Sequence, residues 1–139
     1  MRIRMRWSLA LAGVLAVLAL AAEAAEAPDW DSVAALDTVS VATSNPDGTL
    51  RYTTVWIVVV GGRGYLRTGD TNWGANVTRN PNVKLVIDDK EYSLRADFVE
   101  AEDERALVTA AFNEKYGWPD TMMGWLRGAR PKIMRLASL

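Results

Sequence analysis

Between Arg51 and Ile87 the chain alternates apolar runs with short polar turns: RYTTVWIVVV, GGRG, YLRT, GDTNWGANVTRNP and NVKLVI follow one another. Upstream, Thr38 to Thr43 alternates and reads as a strand, with Val39, Val41 and Thr43 on one face. Asn45-Pro46-Asp47-Gly48 is a turn, since proline presets φ at its second position and glycine accepts a positive φ at its end. Leu50 to Val60 then returns as the hairpin partner. Within that return Val55 to Val60 is apolar without a break, so both faces of the strand need cover. One face fills a barrel, and the other meets a helix or a second subunit.

The remaining elements follow the same grammar. Tyr65 to Thr68 is a short strand, and a helix is predicted from about Asn72 to Arg79, capped by Asp70 or Thr71 and ended by Asn80-Pro81. Val83, Leu85 and Ile87 alternate, Asp88-Asp89-Lys90 turns the chain, and Tyr92, Leu94, Ala96 and Phe98 alternate with charged or small polar residues. Glu102-Asp103-Glu104 suits the positive end of a helix whose apolar stripe is Leu107, Val108, Ala111, Phe112 and Tyr116. Asp31 or Ser32 caps an earlier short helix through Leu36, Thr121 to Leu126 forms a further helical turn, and Lys132 to Leu136 is a last strand. The expected architecture is mainly β with α: a six-stranded antiparallel barrel with one longer helix in the C-terminal half and short helices besides. Turns at NPDG, GGRG and DDK favour antiparallel order, because parallel strands need longer crossovers.

The first residues stand apart. Arg2, Arg4 and Arg6 precede an uncharged run from Trp7 to Ala22, and Ala22-Glu23-Ala24 follows as a small-x-small exit. This pattern predicts a signal peptide over 1–24 and an exported, periplasmic domain over 25–139. The alternative is a membrane anchor over residues 7–22, which is short of the ~20 residues that cross a bilayer. Removing 1–24 leaves 13 basic and 16 acidic residues, a net charge of −3, which gives no polybasic surface for nucleic acid.

The chain has no cysteine and no histidine. An exported domain of this composition holds together without disulfides. The Ser-His-Asp and Cys-His arrangements are excluded, as are haem ligated by His or Cys and the usual zinc ligands. Asp88 and Asp89 read as a turn and not as a metal pair, so no metal site is expected. No residue stands out as a catalytic acid or base, and the catalytic residues are left unassigned. Tyr65 and Tyr116 are the polar aromatic candidates.

Arg67 and Thr68 end a strand just before a helix start, a place where a phosphate or carboxylate can sit against backbone N–H groups. The bland reading is a solvated strand end with Arg67 paired to Asp70. Trp73 either stacks on a ligand ring or plugs the barrel.

With these pieces in order, the chain resembles the pyridoxamine 5′-phosphate oxidase-like superfamily of split β-barrels, in particular its deazaflavin (F420)-dependent reductase branch. The matching segments are VSVATSNPDGTLRYTTVWIVVV, GYLRT, the W-x-x-N-x-x-x-N-P-x-V step from Trp73 to Val83, FNEKYG and PKIMRL. The resemblance implies a homodimer that binds FMN or F420 in a groove at the subunit interface. It places Arg51, Arg67, Thr68, Thr71, Asn72, Trp73 and Asn76 along that groove. One departure stands out: flavin-binding members often carry Ser-x-Lys after the strand-end threonine, and counting back from Asn80-Pro81 the lysine position holds Trp73. Losing that cation removes a contact of about 1.5–3 kcal/mol, roughly ten- to a hundred-fold in affinity. Two functions are therefore expected in parallel: an oxidoreductase moving hydride through a flavin or deazaflavin, or a non-catalytic ligand-binding or structural dimer on the same barrel. The partner in the first two cases is a small planar anionic molecule.

Overall fold

A computed structural model of the chain describes residues 26–117 and 130–139. The expected leader and the helical turn at Thr121 to Leu126 lie outside the described residues. In chain order the elements are α1 Trp30–Ala34, β1 Val39–Ser44, β2 Leu50–Val55, β3 Val58–Val60, β4 Arg63–Thr68, α2 Asn72–Arg79, β5 Asn82–Ile87, β6 Lys90–Phe98, α3 Glu102–Tyr116 and β7 Lys132–Ser138. Among the described residues no helix is long and apolar enough to cross a membrane.

Among the described residues there are seven strands where six are expected, because the long apolar return from Leu50 divides at Trp56-Ile57. All pairings are antiparallel, in the order β2-β1-β5-β6-β7-β4-β3. The two edge strands of that order, β2 and β3, are separated by two residues only. The sheet must therefore curl until its edges meet, and the chain itself spans the seam. The three hairpins form at the expected turns. Asp88 and Asp89 both have positive φ, 50° and 64°, the backbone of a tight two-residue hairpin loop.

At the seam the strand ladder is interrupted, and Ile57 is fully buried with its backbone groups off the ladder. The end of α3 satisfies them. The Tyr116 hydroxyl accepts from Ile57 N–H at 3.0 Å and lies 2.7 Å from the Asp37 carbonyl oxygen. Lys115 Nζ donates to the carbonyls of Ile57 at 2.8 Å and Leu36 at 2.6 Å. Trp56 stacks flat on Tyr116, with ring centroids 4.3 Å apart and planes 1° apart.

Two apolar clusters result. Val41, Ile57, Leu66, Leu85, Leu94, Met134 and their neighbours fill the barrel. Val58, Tyr65, Val99, Ile133, Val108 and Phe112 form the second, between the outer sheet face and α3. The second face of the apolar run is thus covered by a helix of the same chain, so this run does not itself require a second subunit. Leu107, expected in the helix stripe, is 63% exposed, because the buried line runs through Val108 and Phe112 at i, i+4 spacing. The short helix begins at Trp30, ahead of the expected caps. Its ring lies against Gly64, where an added Cβ would come within 2.3 Å of it.

The start of α3 is fixed by charge. Arg135 holds Glu104 in a two-point contact, Nε to Oε2 at 2.9 Å and Nη2 to Oε1 at 2.6 Å, and Tyr65 donates its hydroxyl proton to Glu104 Oε2 at 2.7 Å. The hydrogen bonds from Arg135 and Tyr65 hold the Glu104 carboxyl down at about 2. Burial and the neighbouring carboxylate push the Tyr65 phenol upward.

Two outcomes follow for stability. Tyr116→Phe leaves the Ile57 N–H buried without a partner and should cost about 1–3 kcal/mol; urea unfolding followed by tryptophan fluorescence measures it, and a loss near zero would remove the clasp from the account. Glu104 titrates below its ordinary 4.5 in the folded state, so its contribution is present above about pH 4.5 and is lost as pH falls toward 2. Allowing for partial solvent screening, Glu104→Gln should cost about 1–2 kcal/mol at pH 7, and its difference from wild type should shrink steadily below pH 4.5.

Candidate functional site

The step from β4 into α2 carries five of the seven candidate residues. Alternation along β4 sends Leu66 into the barrel and Tyr65 under α3. Thr68 follows Leu66 inward, while Arg67 follows Tyr65 outward and lays its guanidinium over the Phe112 ring, 4.3 Å from the centroid. Their side chains therefore diverge and do not form one joint seat, and the bland pairing of Arg67 with Asp70 is absent from the ion pairs of the described residues. Burial pushes the Arg67 guanidinium down to about 10, which keeps it cationic at neutral pH.

Thr68 and Thr71 stay together. Their hydroxyls lie 2.6 Å apart, and Thr71 Oγ1 accepts from Gly74 N–H at 3.1 Å, capping α2. Gly74 has no room for a side chain: a Cβ would stand 2.9 Å from Thr68 Cγ2 and 3.0 Å from Thr71 Oγ1. The helix start is thereby pressed onto the strand end, with Asn72 exposed as its first residue. Trp73 is 7% exposed and belongs to the barrel cluster. In the single chain its indole is a plug, not a platform open to a ring.

The other two candidates meet one turn further along. Asn76 is 3% exposed and spends its whole amide on the fold. Its Nδ2 donates to Thr43 Oγ1 at 3.1 Å and Asn45 Oδ1 at 3.0 Å, and its Oδ1 accepts from Arg79 Nη2 at 2.7 Å. Arg79 Nη2 also donates to the Ser44 carbonyl at 2.8 Å, and Arg51 Nε reaches Asn45 Oδ1 at 3.4 Å. Asn45 is in turn fixed by the NPDG turn, where its Nδ2 donates to Thr49 Oγ1 at 3.1 Å. Helix α2 and the β1–β2 hairpin are thus joined by a polar clasp with an arginine at either side.

Clefts occur elsewhere. One, about 390 Å³, is lined by Trp30, Arg63, Arg135 and Leu136 to Ser138, and two others lie beside Arg105 and beside Thr54. None of the three includes any of the seven candidates. Among the described residues no group of acidic, histidine or cysteine side chains could hold a metal.

Residues 29–136 match the model of a family described as uncharacterized protein conserved in bacteria (DUF2255). The chain belongs to that family. No curated protein matches the DUF2255 chain. Its fold is shared with several solved structures, among them an F420-H2 dependent reductase, the branch that the sequence resembles. A conserved hypothetical protein, Rv2991 of Mycobacterium tuberculosis, is 21% identical with a TM-score of 0.65, over 82% of each chain. HutZ of Vibrio cholerae, a heme storage protein, is 18% identical with a TM-score of 0.60, over 74% of this chain and 82% of its own. An F420-H2 dependent reductase, FDR-A, is 20% identical with a TM-score of 0.60, over 72% of this chain and 93% of its own. Likeness at these identities establishes the fold.

Sequence reasoning passed over Arg79 and Asn45. Both carried a usable signal: Arg79 stands three residues after Asn76, on a neighbouring face of the helix, and Asn45 opens the turn that faces it. Asn76→Ala would strand the Thr43 hydroxyl and free Arg79 from its amide partner. It should cost about 1–3 kcal/mol in urea unfolding; a change within the scatter of repeat measurements would show that the clasp is incidental.

Proposed function

We propose that this protein is a split-barrel binding domain for a planar anionic ligand of the flavin or deazaflavin type, held beside the β4–α2 step. The observation that carries this reading is the capped start of α2. Thr68, Thr71 and Gly74 bring the positive end of the helix dipole to an exposed position at Asn72, on a fold shared with the F420-H2 dependent reductase FDR-A. The spacing that puts Trp73 at the lysine position also puts Thr71 at the serine of Ser-x-Lys. The residues present suit the anionic end of such a ligand. Its ring lies against another surface, because Trp73 is committed to the core. When bound, a flavin or deazaflavin supplies hydride-transfer chemistry, and the protein's part is to bind and orient it.

The proposed working unit is an exported homodimer. The leader pattern supports export, and the exposed Leu50, Tyr52 and Trp56 on and beside edge strand β2 support pairing of two copies. Haem is the second reading, favoured by the likeness to HutZ. It is the weaker of the two for this chain, which has neither histidine nor cysteine to ligate iron.

Thermal unfolding with FMN, F420 or haem tests the reading. A ligand at 100 times its Kd should stabilise the fold by about 2.7 kcal/mol. A rise in Tm with FMN or F420, reduced in Thr71→Val relative to that variant's own ligand-free Tm, is the expected result. A rise with haem alone, together with a shifted Soret band, selects the second reading, and no rise with any of the three overturns both.

A further inference from the structure

We infer that Arg79, together with Arg51, supplies the positive charge that seats the ligand's phosphate group, in place of the lysine whose position Trp73 occupies. The inference rests on the proposed binding of an anionic ligand beside α2 and names what would hold its charge.

Three observations lead to this pair. First, the cation nearest in sequence to the step, Arg67, is turned to the opposite face of β4 and lies over Phe112, under α3. The threonine pair consequently has no cation from its own strand end. Second, Arg51 and Arg79 are exposed, and neither takes part in an ion pair among the described residues. Third, both are held by neutral amides. Arg79 uses Nη2 alone for Asn76 Oδ1 and the Ser44 carbonyl, and Arg51 uses Nε alone for Asn45 Oδ1. Each guanidinium has five N–H donors, so these contacts leave most of them unused.

The amides do more than occupy donors. Asn45 and Asn76 are bonded to each other at 3.0 Å, and Asn76 is buried, so the positions of the two arginines are coupled through one rigid bridge. Part of the entropy normally lost when a long side chain grips an anion is spent on folding instead. Side chains on a helix lean toward its N-terminus, which is the direction Arg79 takes in reaching Asn76, three residues back. Its charge is thereby carried from the helix C-terminus toward the capped end. A planar guanidinium matches the oxygens of a phosphate monoester or diester.

Inorganic phosphate, titrated at constant ionic strength into full-length wild-type protein, is the probe, read by the Nε–Hε resonances of the arginine side chains. The expected result is a saturable response confined to Arg51 and Arg79. Arg79→Gln should weaken phosphate binding by about ten-fold or more, Arg79→Lys by less, and Lys84→Gln, on the outer sheet face, not at all. Backbone amide spectra of each variant confirm that the fold is kept. A linear response shared by all arginines, or equal binding by Arg79→Gln, overturns the inference. Phosphate held at the pair with no stabilisation by FMN or F420 would leave this inference standing and remove the ring-ligand reading. FMN or F420 bound equally by wild type and Arg79→Gln would do the reverse.

Discussion

The barrel is closed by a covalent link where hydrogen bonds fail. β2 and β3 sit at opposite edges of the hydrogen-bonded order, yet Trp56 and Ile57 alone connect them. A sheet whose two edge strands are joined by two residues must curl to bring them together. The cost of that closure is concentrated in one buried peptide, whose polar groups are satisfied by Tyr116 and Lys115. Because α3 carries both residues, the helix does two jobs: it covers the apolar outer face and completes the seam. The segment from Phe112 to Tyr116, read in the sequence as a helix end, is where these two roles meet.

Much of the fold was legible. Turn chemistry at Asn45 to Gly48, Gly61-Gly62 and Asp88-Asp89 determined which strands pair, and helix α2 begins and ends at the predicted residues, because a threonine cap and an Asn-Pro stop are local signals. The division of Leu50 to Val60 was not legible. An unbroken apolar run gives no period from which to locate a break, and the break depends on a tyrosine 59 residues away. Leu107 illustrates the same limit on a helix, where several adjacent apolar residues leave the rotation of the buried line undetermined until the partner surface is known.

The site was legible in part, for a related reason. Adjacency in sequence joined Arg67 to Thr68, but strand geometry parts them. Arg51 and Asn76 were named from the resemblance, and the structure does bring them together, though only through Asn45. Asn76 and Trp73 emerge as framework, both nearly closed to solvent. What remains on the surface is Arg51, Arg79 and the capped start of α2.

The burial of Asn76 also bears on how the protein can be made. Asn76-Val77-Thr78 is an acceptor triplet for an N-linked glycan, and the nitrogen that would carry the sugar is the same Nδ2 that bonds Thr43 and Asn45. Once folded, the domain offers that nitrogen to no transferase. In a eukaryotic secretory host, oligosaccharide transfer and folding would compete for one atom, and any chain glycosylated first could not assemble its hairpin against the helix.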